Sequence, residues 1–142
     1  VNGLKKDILV IDGQGGGLGR QIVSAIKARR NLAVVTAVGT NSTATAAMLK
    51  AGADSAATGE NAVMVACREA DIIVGPIGIV IADSMLGEIT PDMAMAVCRS
   101  KAKRILLPTS GCGNTIIGAR ELSMGRLLEL LVQELELMDQ GG

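Results

Sequence analysis

The chain has 142 residues, about the length of a single domain, and 49% of them are apolar although none is aromatic. The formal net charge at pH 7 is zero, which argues against a nucleic-acid partner, and no aromatic side chain is present to stack on a base. Because the chain has no His and no Tyr, imidazole acid–base catalysis, His-ligated metals and phenol chemistry are excluded, and we expect no metal site.

Apolar runs alternate with segments of helical period along the whole chain, and glycine, proline and capping residues mark the boundaries. In chain order the pattern predicts a strand at 8–11, a helix at 18–30, a strand at 32–38, a helix from 42 to about 51, a weak strand at 53–58, a helix from 58 to about 70, a strand at 71–74, an apolar piece of no clear type at 79–86, a helix from 90 to about 100, a strand at 104–107, a loop at 109–114, a short strand at 115–117 and a last helix at 125–138.

The predicted strands are continuously apolar and lack the alternation of a sheet that faces water on one side. Such strands, alternating with helices, are typical of a parallel sheet covered on both faces. We therefore predict one α/β domain over residues 1–142, with a three-layer, doubly wound, mostly parallel sheet of the Rossmann-like type. Ligands of such sheets bind at the carboxyl ends of the strands, which here are residues 12–19, 39–42, 75–78 and 109–114.

Residues 12–20 read DGQGGGLGR and stand between the first strand and the first helix. Glycine lets the backbone approach an anion closely, and the free N–H groups of a helix N-terminus favour its charge. The alternative is a glycine-rich turn with a structural role only. With the ends of the second and fourth strands, this loop gives the predicted cofactor-binding set: Gly13, Gln14, Gly15, Gly16, Gly17, Leu18, Gly19, Thr40, Asn41, Ser42, Gly75, Pro76, Ile77 and Gly78.

Three nucleotide-binding fingerprints can be compared with this loop. Gly-x-Gly-x-x-Gly fails at Leu18, and the Walker A pattern lacks its lysine and hydroxyl. Gly-x-x-x-Gly-x-Gly fits at Gly13, Gly17 and Gly19, and there the loop resembles the cofactor loop of short-chain dehydrogenases/reductases. That resemblance implies NADP or NAD lying across residues 13–19. The catalytic Tyr of that family does not exist here, so its chemistry does not carry over, and the catalytic residues are unknown.

The end of the second strand, residues 39–42, contains no acidic residue. In dinucleotide-binding folds an acid at this place holds the adenosine ribose, so its absence favours NADP(H) binding at least as tightly as NAD(H). An ordinary helix cap by Asn41 or Ser42 explains the same residues equally well.

Several other polar residues have two interpretations. Asp83 and Glu88 are candidates for an acid–base pair or for solvated loop residues, and Cys112 is a candidate ligand contact or part of a plain loop. The three cysteines have no C-x-x-C spacing, so we expect free thiols. The sequence has no run of transmembrane length and no signal-peptide pattern, so we expect a cytoplasmic protein.

Most of the chain resembles a small bacterial family catalogued as a domain of unknown function, associated mainly with anaerobic Firmicutes. The residues that carry the resemblance are IDGQGGG (11–17), GTN (39–41), MLKAGA (48–53), ATGENA (57–62) and IVGPIG (73–78). It implies a stand-alone Rossmann-like protein and brings no activity. Three functions stay open: a nucleotide-binding protein for NADP or NAD, a non-enzymatic oligomeric ligand sensor or partner-binding module, and, least favoured, an ATP- or GTP-binding protein.

The last helix predicts a homodimer or higher homo-oligomer. Leu128, Leu131, Leu135 and Met138 form one apolar stripe, whereas Leu130 and Leu137 fall outside it and would face water in a monomer. The apolar run at 79–86 adds surface that a small sheet does not fully cover. A monomer with a wide-faced core helix is the alternative.

Overall fold

The computed structural model describes residues 6–29, 33–109 and 113–140, with the side chain of Gln140 left out. Five strands form a single parallel sheet in the order β3-β2-β1-β4-β5. The strands are β1 (Lys6–Asp12), β2 (Ala33–Gly39), β3 (Ser55–Thr58), β4 (Ile72–Pro76) and β5 (Lys103–Leu107). The helices are α1 (Gly17–Lys27), α2 (Ser42–Lys50), α3 (Glu60–Glu69), α4 (Pro91–Arg99) and α5 (Met124–Gln140).

The direction of winding reverses once. The chain runs outward from β1 through β2 to β3, and then returns to the other side of β1, where β4 and β5 follow. All pairings are parallel, with Asp12 beside Gly39 at the carboxyl end of the β1–β2 pair. The point between β1 and β4 is the switch point of a doubly wound sheet, at which such folds bind ligands. The predicted Rossmann-like fold class is thus confirmed.

Two apolar cores lie on opposite faces of the sheet and explain the continuous apolar strands. In β1, Ile8 and Val10 belong to the core under α1, α2 and α5, whereas Leu9 and Ile11 belong to the core under α3 and α4. All four side chains are at most 2% exposed. Burial on both faces removes the period-two pattern, as expected of a parallel sheet covered by helices.

The helix starts follow their capping residues. Asn41 caps α2 by accepting a hydrogen bond from the Ala44 N–H at 2.9 Å, and Thr90 caps α4 by accepting one from the Met93 N–H at 3.1 Å. In the described residues no helix has both the length and the apolar character to span a membrane.

Three sequence expectations change. Residues 115–117 form no strand, and the piece at 79–86 is the end of a short 3-10 helix (Ile77–Val80) followed by turns. The first helix ends at Lys27, earlier than the predicted residue 30. Residues 30–32 and 110–112, and with them Cys112, lie outside the described part of the chain.

Candidate functional site

A cavity of about 270 Å³ lies at the carboxyl ends of β1 and β4. One wall is the glycine loop, defined here as residues 13–19. The opposite wall comes from the end of β4 and from the turn segment, defined here as residues 81–90. The lining residues are Asp12, Gly13, Gln14, Gly15, Gly16, Gly17, Leu18, Pro76, Gly78, Ser84, Met85, Leu86 and Thr109.

The glycines of the loop fall into two groups, and the first is packed against protein. A Cβ on Gly13 would lie 2.6 Å from Thr40 Oγ1, and one on Gly19 would lie 2.7 Å from Asp12 Cβ. At Gly16 a Cβ would lie 2.8 Å from the Ala44 Cα, and its φ of 72° is in the left-handed region. These three residues are glycine because the fold leaves no room for a side chain.

The second group, Gly15 and Gly17, faces open space. Neither residue would bring a Cβ within 4 Å of another atom, and both are exposed at the cavity. In the described residues, no acceptor is hydrogen-bonded to the N–H groups of Gly15, Gly17 or Leu18. Gly17 and Leu18 open α1, so these amides carry the partial positive charge of a helix N-terminus. The cavity wall can therefore accept an anion without any movement of a side chain.

Asp12 holds the glycine loop from behind. Its Oδ1 accepts a hydrogen bond from the Gly13 N–H at 2.8 Å, and its Oδ2 accepts one from the Gly19 N–H at 2.6 Å. Burial raises the pKa of Asp12, the two amide hydrogen bonds lower it, and the charge of Glu88 raises it further. Both carboxylate oxygens are bonded to backbone amides of the loop, so a carboxylate next to the glycines is compatible with an anion at Gly15 and Gly17.

Glu88 closes the corner between β1 and β2, although it lies 48 residues beyond Thr40 in sequence. Its Oε1 accepts hydrogen bonds from the Gln14 N–H at 2.8 Å, from Thr40 Oγ1 at 2.5 Å and from Asn41 Nδ2 at 2.9 Å. The bonds from Thr40 and Gln14 and, more weakly, from Asn41 lower the pKa of Glu88, against a smaller opposing effect of burial. Glu88 is thus a partly exposed residue of the turn segment whose carboxylate is hydrogen-bonded to the loop and to the end of β2. The end of β2 does have an acid beside it, which the turn segment supplies.

The turn segment has an unusual backbone. The φ values of Asp83, Met85 and Leu86 are 66°, 57° and 56°, in the left-handed region that residues other than glycine rarely adopt. Ser84 anchors the segment by donating a hydrogen bond from Oγ to the Gly78 carbonyl at 2.5 Å. Leu86 projects at the cavity with 97% of its surface exposed. The segment is therefore held in a conformation that presents an apolar side chain to water.

The predicted site residues divide into those that line the cavity and those that support it. Residues 13–18, Pro76 and Gly78 line the cavity. Gly19, Thr40 and Asn41 instead hold Asp12 and Glu88 in place, and Asn41 is also the cap of α2.

The other predicted residues have different surroundings. A Cβ on Gly75 would lie 2.5 Å from the Ile11 carbonyl oxygen, so this glycine serves strand packing. Ile77 begins the 3-10 helix, and Ser42 is exposed at the start of α2. Sequence reasoning missed Met85 and Leu86, which no motif marks.

A parallel sheet that reverses at β1, with a glycine loop and open helix amides at that switch point, defines a Rossmann-like α/β protein. The chain belongs to the family described as Domain of unknown function (DUF3842), whose model matches residues 7–139. Among solved structures it is similar to MrsD from Bacillus sp. HIL-Y85/54728, with 14% identity, a TM-score of 0.49, and coverage of 93% of this chain and 79% of that chain. No curated protein matches.

Proposed function

We propose that the protein binds a dinucleotide of the NAD(H) type at the switch point of its sheet, with the diphosphate on the open amides of Gly15, Gly17 and Leu18. The room for a Cβ at Gly15 and Gly17 supports this placement, because the backbone there faces the cavity and nothing else. The first turn of an 11-residue helix supplies the favourable potential for a phosphate. The glycine spacing similar to short-chain dehydrogenases/reductases agrees with the same ligand class.

The observation that carries the proposal is the carboxylate of Glu88 at the end of β2. Its Oε1 accepts three hydrogen bonds, while no described residue donates one to its Oε2. An acid at this corner accepts hydrogen bonds from the ribose hydroxyls of a dinucleotide. A 2′-phosphate would meet the same negative charge, so we infer that NAD(H) binds more tightly than NADP(H). The sequence-based preference for NADP(H) rested on the absence of an acid in residues 39–42, whereas Glu88 brings a carboxylate to this corner from the turn segment.

A specific observation favours a binding role over catalysis, and hence the ligand sensor as second candidate. Asp12 is the only titratable side chain among the described lining residues, and both of its oxygens accept backbone hydrogen bonds. Turnover of NADH or NADPH with a panel of carbonyl compounds separates the two roles, since a sensor binds the dinucleotide without oxidising it. ATP or GTP is less favoured because the loop has no lysine to meet a terminal phosphate.

Calorimetry with NADH and NADPH tests the binding proposal. Gly17→Val places a branched side chain at the phosphate position, and we expect at least a tenfold loss of affinity, about 1.4 kcal/mol, in a folded protein. Gly125→Val is the matched control, because Gly125 also lies in the first turn of a helix with room for a Cβ. Unchanged binding by a folded Gly17→Val protein would move the site away from the glycine loop.

We also propose that the protein is a homodimer through α5. The apolar stripe predicted on this helix packs on the sheet, with Leu131 and Leu135 each 2% exposed. Outside that stripe, Leu137 is 61% exposed and Leu130 is half-buried. A symmetric pair would bury both leucines at once.

A further inference from the structure

The turn segment reaches both sides of the glycine loop. Through Glu88 it contacts the end of β2, where the proposal above places the ribose of the adenosine half. Through Ser84, whose Oγ donates a hydrogen bond to the Gly78 carbonyl, it contacts the residues that follow β4, and Leu86 lines the cavity between these two contacts. A single residue, Gly87, lies between Leu86 and Glu88 in sequence. A ligand whose diphosphate crosses the glycine loop would therefore meet the same segment with both of its halves.

Three apolar residues line the cavity opposite the glycine loop, next to Ser84 and Thr109. They are Pro76, Met85 and Leu86, of which Pro76 is buried and Leu86 is 97% exposed. Met85 is half-buried, and its Sδ lies close enough to Gly13 that a Cβ there would be 2.8 Å away. The cavity wall opposite the glycine loop therefore includes apolar carbon atoms and the sulfur of Met85, and its Leu86 side chain is exposed to water.

The backbone conformation of Met85 and Leu86 does not stabilise the fold. A left-handed conformation is unfavourable for both side chains, and burial of Leu86 does not compensate for it because the side chain is in water. Residues held in such conformations cluster at sites where a ligand uses the geometry. A ligand in the cavity would bury the Leu86 side chain, which is exposed to water in the protein alone.

We propose that Leu86, with Met85 and Pro76, forms the wall that covers the heterocycle on the far side of the diphosphate, the nicotinamide ring if the ligand is NAD(H). This inference rests on the proposed function. It adds that Leu86 makes the protein bind a dinucleotide more tightly than a ligand that ends at the ribose beyond the diphosphate. ADP-ribose shares the adenosine half and the diphosphate with NADH but has no ring to place against Leu86.

The test compares NADH and ADP-ribose by calorimetry on the wild-type protein, Leu86→Ser and Leu49→Ser. Leu49→Ser is the matched control, since Leu49 is a half-exposed leucine near the end of α2 that lies outside the cavity. Leu86→Ser is expected to weaken NADH binding about five- to tenfold, as covering part of a leucine implies, and to leave ADP-ribose binding unchanged. The fluorescence of NADH should also increase on binding to the wild-type protein, and should not increase on binding to Leu86→Ser.

The other outcomes overturn the inference in distinguishable ways. Wild-type protein that binds NADH, together with a Leu86→Ser variant that binds it equally well, refutes the role of Leu86 and leaves the proposed function standing. An equal loss for NADH and ADP-ribose shows that Leu86 acts on the shared half of the ligand, and also refutes the inference. Wild-type protein that binds neither compound refutes the proposed function and this inference with it.

Discussion

Replacing Glu88 by glutamine tests whether its carboxylate joins the glycine loop to the end of β2. One oxygen, Oε1, accepts hydrogen bonds from the backbone of Gln14 and from the side chains of Thr40 and Asn41. Glutamine keeps a carbonyl oxygen at the same place but removes the charge. Hydrogen bonds to an ionised acceptor are about twice as strong as those to a neutral one. We therefore expect Glu88→Gln to fold with a lower free energy of unfolding.

The size of the effect follows from the three donors. Each hydrogen bond to a charged group contributes roughly 1.5–3 kcal/mol, against about 0.5–1.5 kcal/mol for a neutral one. The side chain is only half-buried, so water screens part of the difference. We expect Glu88→Gln to lose about 1–2 kcal/mol near pH 7. Such a loss is a measurable share of the roughly 5–15 kcal/mol that stabilises a small domain.

The pH dependence has a definite sign. The pKa of Glu88 is lowered from its ordinary value of 4.5 by hydrogen bonds from Thr40, Gln14 and Asn41. A lowered carboxyl pKa contributes stability that is present above the unfolded-state pKa and is lost as the pH falls through the folded-state pKa. The difference between wild type and Glu88→Gln should therefore be constant at neutral pH and shrink at acidic pH, below the ordinary value.

Urea denaturation followed by far-ultraviolet circular dichroism measures this difference, because the chain has no Trp or Tyr to report by fluorescence. Asp83→Asn is the control. It neutralises an exposed carboxylate of the same turn segment, and asparagine tolerates the left-handed backbone at that position. A Glu88→Gln protein as stable as wild type at neutral pH, or a deficit that persists unchanged into acid, would refute the role given to this carboxylate.

Three further predictions concern the loop and the last helix. Gly16→Ala should lower the free energy of unfolding by about 2 kcal/mol or more, because φ is 72° and the Cβ would lie 2.8 Å from the α2 backbone, whereas Gly15→Ala should be nearly neutral in the same denaturation assay. Asp12→Asn should cost about 1–3 kcal/mol, since an amide offers one acceptor to two backbone N–H groups. Because the pKa of Asp12 is raised, this residue contributes most to the free energy of unfolding at low pH, and its contribution declines as the pH rises through the folded-state pKa. A difference in free energy of unfolding between wild type and Asp12→Asn that grows with pH would contradict a raised pKa. Light scattering should give a dimer that Leu130→Glu with Leu137→Glu splits, and a wild-type mass near 14.5 kDa would contradict the proposed interface.

The fold could be predicted from the sequence because its central strands carry the same signal. β1 and β4 are buried on both faces, so their apolar residues run without interruption and indicate a parallel sheet. Helix starts were readable where a capping side chain exists, as at Asn41 and Thr90. The short strand at 115–117 was wrong because three apolar or β-branched residues give too little pattern to separate a strand from an extended loop.

The candidate site was only half predictable, and Glu88 explains why. The residues of the glycine loop are neighbours in sequence, so their composition alone points to the loop. Glu88 reaches the same corner from the turn segment, whose backbone at Asp83, Met85 and Leu86 follows no helical or strand period and no glycine pattern. No rule of spacing relates residue 88 to residues 14, 40 and 41. Only the three-dimensional arrangement brings the acid to the end of β2, and our proposal that NAD(H) binds more tightly than NADP(H) rests on that arrangement.

The glycine loop had two competing interpretations, a phosphate site and a structural turn. Packing explains three of its glycines as structural, and the other two belong to the phosphate site that we propose. Gly13, Gly16 and Gly19 are glycine because Thr40, Ala44 and Asp12 stand where a Cβ would go. Gly15 and Gly17 have no such neighbour, and packing gives no reason for their lack of a side chain. Alanine is the better helix former, and it would fit at Gly17, the first residue of α1, without a clash. The lack of a packing reason for these two glycines supports the phosphate site that we propose on the exposed face of the loop.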